Sequence, residues 1–224
     1  MEIAEDKFPE RVRASTIASY WWCGWKSYAT SMLGLRMPEK EWMNLGTNLH
    51  DKLFETMGKR FPWERKFIER IDKYRQDERG FVRRFEGTEI FVDITGHPDD
   101  FQVTPGGLVS IIEYKTTRMP LYLVKRFILP IAKFQAKIYS YVLSPTITPL
   151  GYSLGKYHAA VIHSSKDLAL MCYRIVEYDP PKIKAKIEEI FDFYKHPETI
   201  KAPAKWKCKY CSKVYKNVCP LFSK

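Results

Sequence analysis

Apolar positions along this chain recur with two periods, and the switch between them predicts its elements. Residues 15–33, STIASYWWCGWKSYATSML, mix aromatic and small residues behind a serine cap, which predicts a helix containing Cys23 and broken at Gly24. In residues 39–57, Trp42, Leu45, Leu49, Leu53 and Met57 stand at helical spacing, a second amphipathic helix with His50 beside its apolar stripe. Between residues 63 and 115 the segments WERKFIERI, GFVRRFEG, TEIFVDITG and LVSIIEYK, with Gly, Pro and Asp at the breaks, predict strands of a meander. Residues 120–143 return to the helical period with Pro130 dividing or kinking them, YHAAVIHS and LALMCYRIVEY predict two further strands, and residues 180–194 form a helix with proline in its first turn. The order α, β meander, α, β, α predicts an α/β (α+β, mixed sheet) fold with helices flanking one central sheet. One unit is expected over residues 1–224, with a helical part at 1–60, a core at 61–200 and a cysteine-bearing tail at 201–224.

The candidate chemistry lies in the strand LVSIIEYK, where alternate positions place Glu113 and Lys115 side by side on one face. The tripeptide is weak by itself, because Glu5-Asp6-Lys7 and Glu64-Arg65-Lys66 repeat its pattern. Its setting separates it: an apolar run leads in, and the acidic stretch Gly96-His97-Pro98-Asp99-Asp100 lies upstream. A strand, a turn and a returning strand would bring Asp99 to Glu113. Two converging carboxylates repel unless a divalent cation neutralises them, and oxygen ligands with open water positions suit Mg2+ or Mn2+. The bland alternative is a cross-strand charge pair and a turn aspartate. Asp100 competes with Asp99 as the ligand. Gln135 and Tyr139 stand one helical turn apart on the helix after this strand.

Five cysteines do not make the dense, even pattern of a secreted disulfide scaffold, so metal binding is the better expectation. Cys208 and Cys211 form CxxC, Cys219 follows seven intervening residues later, and Cys23 is the remote fourth candidate. The tail around the last three is basic and too short to fold without a staple. Zinc and an iron-sulfur cluster both accept four thiolates, and spacing leaves them level. Cys172, in an apolar run, reads as a buried small hydrophobe. Trp21, Trp22, Trp25 and Trp206 neighbour the cluster cysteines, where they would shield a cluster or stack on bases.

Taken in order, GxxxH at Gly46 to His50, GxxD at Gly96 to Asp99, ExK at Glu113 to Lys115 and QxxxY at Gln135 to Tyr139 resemble the RecB-like branch of the PD-(D/E)XK nucleases. With one candidate ligand cysteine before these motifs, Cys23, and the tail's three after them, the chain resembles the CRISPR-associated RecB-like iron-sulfur exonucleases. The resemblance implies that His50, Asp99, Glu113 and the backbone carbonyl of Tyr114 hold Mn2+ or Mg2+, and that Lys115 orients or deprotonates the attacking water. It implies that Gln135 and Tyr139 position the phosphate or Lys115. It implies further that Cys23, Cys208, Cys211 and Cys219 carry an iron-sulfur cluster, 4Fe-4S in preference to 2Fe-2S. The implied role is trimming of DNA, single-stranded ends above all, for insertion into CRISPR arrays alongside integrase proteins. A viral or repair nuclease of the same type, or a zinc-stapled DNA-binding module without catalysis, are the rivals.

Charge agrees with a polyanionic partner: 37 Lys and Arg against 26 Asp and Glu give a net +11. The longest apolar runs fall short of a membrane span and the first residues lack a signal-type segment, so a soluble, cytoplasmic protein is expected.

Overall fold

A computed structural model describes residues 8–36, 60–76, 80–164, 169–209, 211–220 and 222. The elements run β1 (Arg11–Arg13), α1 (Ala14–Ala18), α2 (Gly24–Ser31), α3 (Pro62–Ile71), β2 (Phe81–Glu86), β3 (Phe91–Gly96), β4 (Asp100–Val103), β5 (Leu108–Thr117), α4 (Leu121–Phe127) and α5 (Leu129–Ile147). They continue with β6 (Ser153–Leu154), β7 (Tyr157–Ser164), β8 (Ala169–Glu177), α6 (Pro180–Lys195), α7 (Lys205–Lys209) and α8 (Lys213–Lys216). The helix expected over residues 39–57, with His50, lies outside the described residues.

The mixed α/β class agrees with the sequence, but the strands form two sheets where one was expected. One has the order β1-β3-β2 and the other β4-β5-β7-β8, with β6 also on β5. Nor is the arrangement a pure meander: β1 runs parallel to β3, and β5 parallel to β6 and β7. Helix α5 packs against strands of both sheets and against α1 and α6, and twelve of its side chains are buried. Its start fits the expected division, because α4 ends at Phe127 and Pro130 occupies the first turn of α5, where no N–H is needed. Pro145 near its end leaves the carbonyl of Tyr141 without the usual helical donor. Arg83 fills that role, donating from Nη1 to the Tyr141 oxygen at 2.5 Å while its guanidinium lies 3.7 Å from the Tyr141 ring centroid.

Three local expectations are corrected. WERKFIERI forms α3, because Trp63, Phe67 and Ile71 recur every fourth residue, Pro62 opens the first turn, and Glu64 caps the Phe61 N–H at 3.0 Å. Ser15 is not the cap of the first helix, since the cap position is Arg13. The break near Cys23 falls one residue earlier than expected: Cys23 is extended and α2 begins at Gly24. Packing requires that glycine, whose added Cβ would stand 2.9 Å from Ile200 and from the Tyr20 ring. No helix among the described residues is long and apolar enough to cross a membrane.

Candidate active site

Strand β5 carries the centre of the site. On one side it pairs with β4, whose last partner is Asp100 opposite Ile112; on the other it runs with β7 from Ile112 to Thr117. Beyond Ile112, therefore, β5 has no strand partner on the β4 side among the described residues. The Asp99 carboxylate occupies that edge, its Oδ2 accepting the Tyr114 N–H at 2.7 Å.

Glu113 points inward with 1% of its surface exposed and forms an ion pair with Lys115. Its Oε2 is buried and has no hydrogen-bond donor among the described residues. Burial pushes the Glu113 carboxyl up to about 8; Lys115 opposes the shift and the Asp99 charge adds to it. For Lys115 burial disfavours the ammonium, but attraction to Glu113 and Asp99 prevails and holds its pKa above the ordinary value. Its side chain remains 30% exposed.

Behind the carboxylates, α5 supplies the pair expected from spacing. Gln135 and Tyr139 are buried, and Gln135 Nε2 donates to the Tyr139 hydroxyl at 2.6 Å. Burial, then repulsion from Glu113 and Asp99, raises the Tyr139 phenol well above its usual range. Gly96 makes room for that ring, since a Cβ at this position would lie 2.6 Å from Tyr139 Cδ1 and Cε1.

Asp100 faces another way. Its Oδ1 accepts from Arg60 Nη2 at 2.5 Å and from the Phe101 N–H at 2.7 Å. Sequence reasoning missed Arg60, Trp63 and Glu64, which line this edge of β4, because WERKFIERI was read as a strand and Arg60 as the end of the helical part before it. It also missed His158, which is buried and accepts the Ile111 N–H on Nδ1 at 3.0 Å. Periodicity carries no signal for such a side chain standing in for backbone.

A buried carboxylate oxygen without a donor, beside a second carboxylate, is a donor set that a divalent cation fits. Among the described residues no group of three or more His, Cys, Asp or Glu side chains stands ready to hold a metal ion, and the third proposed side-chain ligand, His50, lies outside them. The cysteines converge in a different place. Cys23, Cys208, Cys211 and Cys219 line one pocket together with Trp22, Trp25 and Lys26. All four cysteines are half-buried, and the charges of Cys211 and Cys208 add to burial in raising the Cys23 thiol. The side chain of Cys172 is outside the described set.

The family model of the PD-(D/E)XK nuclease superfamily matches residues 39–220, and the chain belongs to that superfamily. The crystal structure of SSO0001 has a similar fold, with a TM-score of 0.55 at 17% identity over 98% of this chain and 90% of that one. No curated protein matches. Membership makes the protein a nuclease-type hydrolase, and nucleases of this superfamily generally use Mg2+ or Mn2+ on DNA.

Proposed function

We propose that the protein is a metal-dependent DNA exonuclease acting on single-stranded ends, of the CRISPR-associated RecB-like type. The observation that carries the nuclease reading is the convergence of Asp99, Glu113 and Lys115 where β5 loses its strand partner. The motif order, with Cys23 before the motifs and the tail's three cysteines after them, supports the finer type, and with it a role beside CRISPR integrase proteins. On this reading residues 1–224 act as one unit, with nuclease core and cysteine module joined.

His50, Asp99, Glu113 and the Tyr114 carbonyl would hold the divalent cation. When bound, that cation lowers the pKa of water and offsets charge building on the phosphate. Lys115 orients the attacking water and adds positive charge beside the transferring phosphoryl group. Gln135 and Tyr139, joined by their hydrogen bond, would position the phosphate or Lys115. Net charge of +11 holds the substrate backbone. Cys23, Cys208, Cys211 and Cys219 would carry an iron-sulfur cluster, which fits four thiols lining one pocket.

Cleavage of labelled linear and circular single-stranded DNA with Mn2+ or Mg2+ tests the proposal. Asp99→Ala or Glu113→Ala should lower cleavage by roughly two orders of magnitude or more while DNA binding persists. Full activity in either variant overturns the site, and rapid cutting of the circle overturns the exonuclease reading.

A further inference from the structure

Strand β4 is only four residues long and lies at the edge of its sheet, yet its outward backbone groups are all engaged. The Phe101 N–H donates to Asp100 Oδ1 at 2.7 Å, and the Phe101 carbonyl accepts from Arg60 Nη1 at 3.4 Å. The Val103 N–H donates to Glu64 Oε1 at 3.3 Å, and the Val103 carbonyl accepts from Trp63 Nε1 at 2.9 Å. Side chains at and just before the start of α3, together with that of Asp100 itself, thus replace the missing neighbouring strand. An edge strand would otherwise present these groups to water and fray.

The two ends of this substitute edge differ in what they touch. Trp63 and Glu64 hold the end at Val103, away from the carboxylates. Arg60 holds the other end, binding at once the Asp100 carboxylate and the Phe101 carbonyl. Asp100 is 7% exposed, and without Arg60 it would be a buried anion beside Asp99 with its main stabilising partner gone. The next residue back is Asp99, whose carboxylate is set against the Tyr114 N–H.

We infer that Arg60 and Asp100 are positioning residues for the metal site: their ion pair pins the start of β4 so that Asp99 meets Glu113 at a fixed distance. The inference rests on the reading of Asp99 and Glu113 as ligands. Arg60 touches neither metal nor phosphate in this role; it acts through the strand. A planar guanidinium suits the task because it reaches a carboxylate and a carbonyl simultaneously, which an ammonium does less well.

The test compares Arg60→Gln, Arg60→Lys and Asp100→Asn with wild type. The readouts are the Mn2+ concentration for half-maximal cleavage, kcat and KM at saturating Mn2+, melting temperature, and DNA affinity without divalent metal. Arg60→Gln should raise the half-maximal Mn2+ concentration about tenfold or more, as loss of a group supporting a metal ligand does. KM and metal-free DNA affinity should stay near wild type, and Arg60→Lys should recover part of the loss. Asp100→Asn should shift the Mn2+ requirement in the same direction as Arg60→Gln. If melting temperature falls while the Mn2+ curve is unmoved, the pair is merely structural and the inference is wrong. If metal-free DNA affinity falls with an unmoved Mn2+ curve, Arg60 is instead a phosphate contact. Should Arg60→Gln not fold, Arg60→Lys and Asp100→Asn carry the decision by the same Mn2+ readout. An Asp99→Ala control separates the levels: activity in that variant refutes the site itself, whereas its inactivity with an unmoved Arg60→Gln curve refutes only the positioning role.

Discussion

At the level of single residues, the spacing of Glu113 and Lys115 was legible because a strand places alternate residues on one face. The physical reason to prefer Asp99 to Asp100 was not: the GxxD spacing favours Asp99, but adjacent carboxylates look alike in a sequence. It becomes visible only through their partners: a backbone N–H at the open edge of β5 for Asp99, an arginine for Asp100. Gly96 shows the same division. Its place in a GxxD pattern could be read, but its reason, a tyrosine ring 2.6 Å from where a Cβ would sit, comes from a helix far along the chain. Gly96→Ala should therefore push Tyr139 away from the carboxylates, with a stability cost of about 1–3 kcal/mol and a fall in cleavage. Adding Tyr139→Leu should recover stability without recovering activity, as measured by denaturant melts and a cleavage assay. A Gly96→Ala protein with unchanged stability and rate would show that the ring has other room.

At the level of elements, the long helix α5 and strands β2, β3, β5, β7 and β8 were legible from period and breaks, while α3 was lost to a segment boundary placed after Pro62. That single misreading hid the edge of β4, because Trp63 and Glu64 reach it from the first turn of a helix and Arg60 from just before that turn. A second hidden device joins β5 to β7. Strand β5 pairs with β6 at Leu108 and Val109 and with β7 from Ile112 onward, and in the gap the His158 imidazole takes the Ile111 N–H. Burial lowers the His158 pKa from 6.5 to about 4. The folded protein thus binds this proton less readily than the unfolded chain, so the contribution to stability is full above pH 6.5 and is lost as pH falls towards 4. From pH 7 to 4.5 the loss should reach about 2–3 kcal/mol at ~1.4 kcal/mol per pH unit. His158→Gln, which keeps an acceptor for Ile111 but has no charge to gain, should flatten that part of the pH profile. Denaturant unfolding across the range measures it, and an equally steep profile in the variant would acquit the histidine.

At the level of the whole molecule, the question is what ties the C-terminal tail to the body. A short, basic segment has little means of burial, and a metal staple was the expected answer. The structure adds a second tie. Tyr215 is buried at 3% exposure, its hydroxyl lies 2.9 Å from Thr30 Oγ1 and donates to the Leu35 carbonyl at 3.2 Å, and Trp206 meets the rings of Trp22 and Phe127 edge-on. These contacts surround the pocket of four thiols without depending on a bound group. Hydrogen bonding by one phenol is worth about 1 kcal/mol, while four thiolates on a cluster would contribute several times more and close a loop of nearly the whole chain. Tyr215→Phe should accordingly lower stability by about 1 kcal/mol and, if the proposed cluster is bound, leave its visible absorption unchanged. Cys23→Ser should abolish that absorption and lower the melting temperature about as far as Cys211→Ser, because either change removes one of four ligands wherever it lies in the chain. Cys172→Ser should keep the colour. Anaerobically purified protein that is colourless and contains zinc would replace iron-sulfur with zinc at the same thiols. Full iron in Cys23→Ser with loss in Cys172→Ser would mean that the fourth ligand is Cys172, and that the tail is tied to β8 and not to the residue that precedes α2.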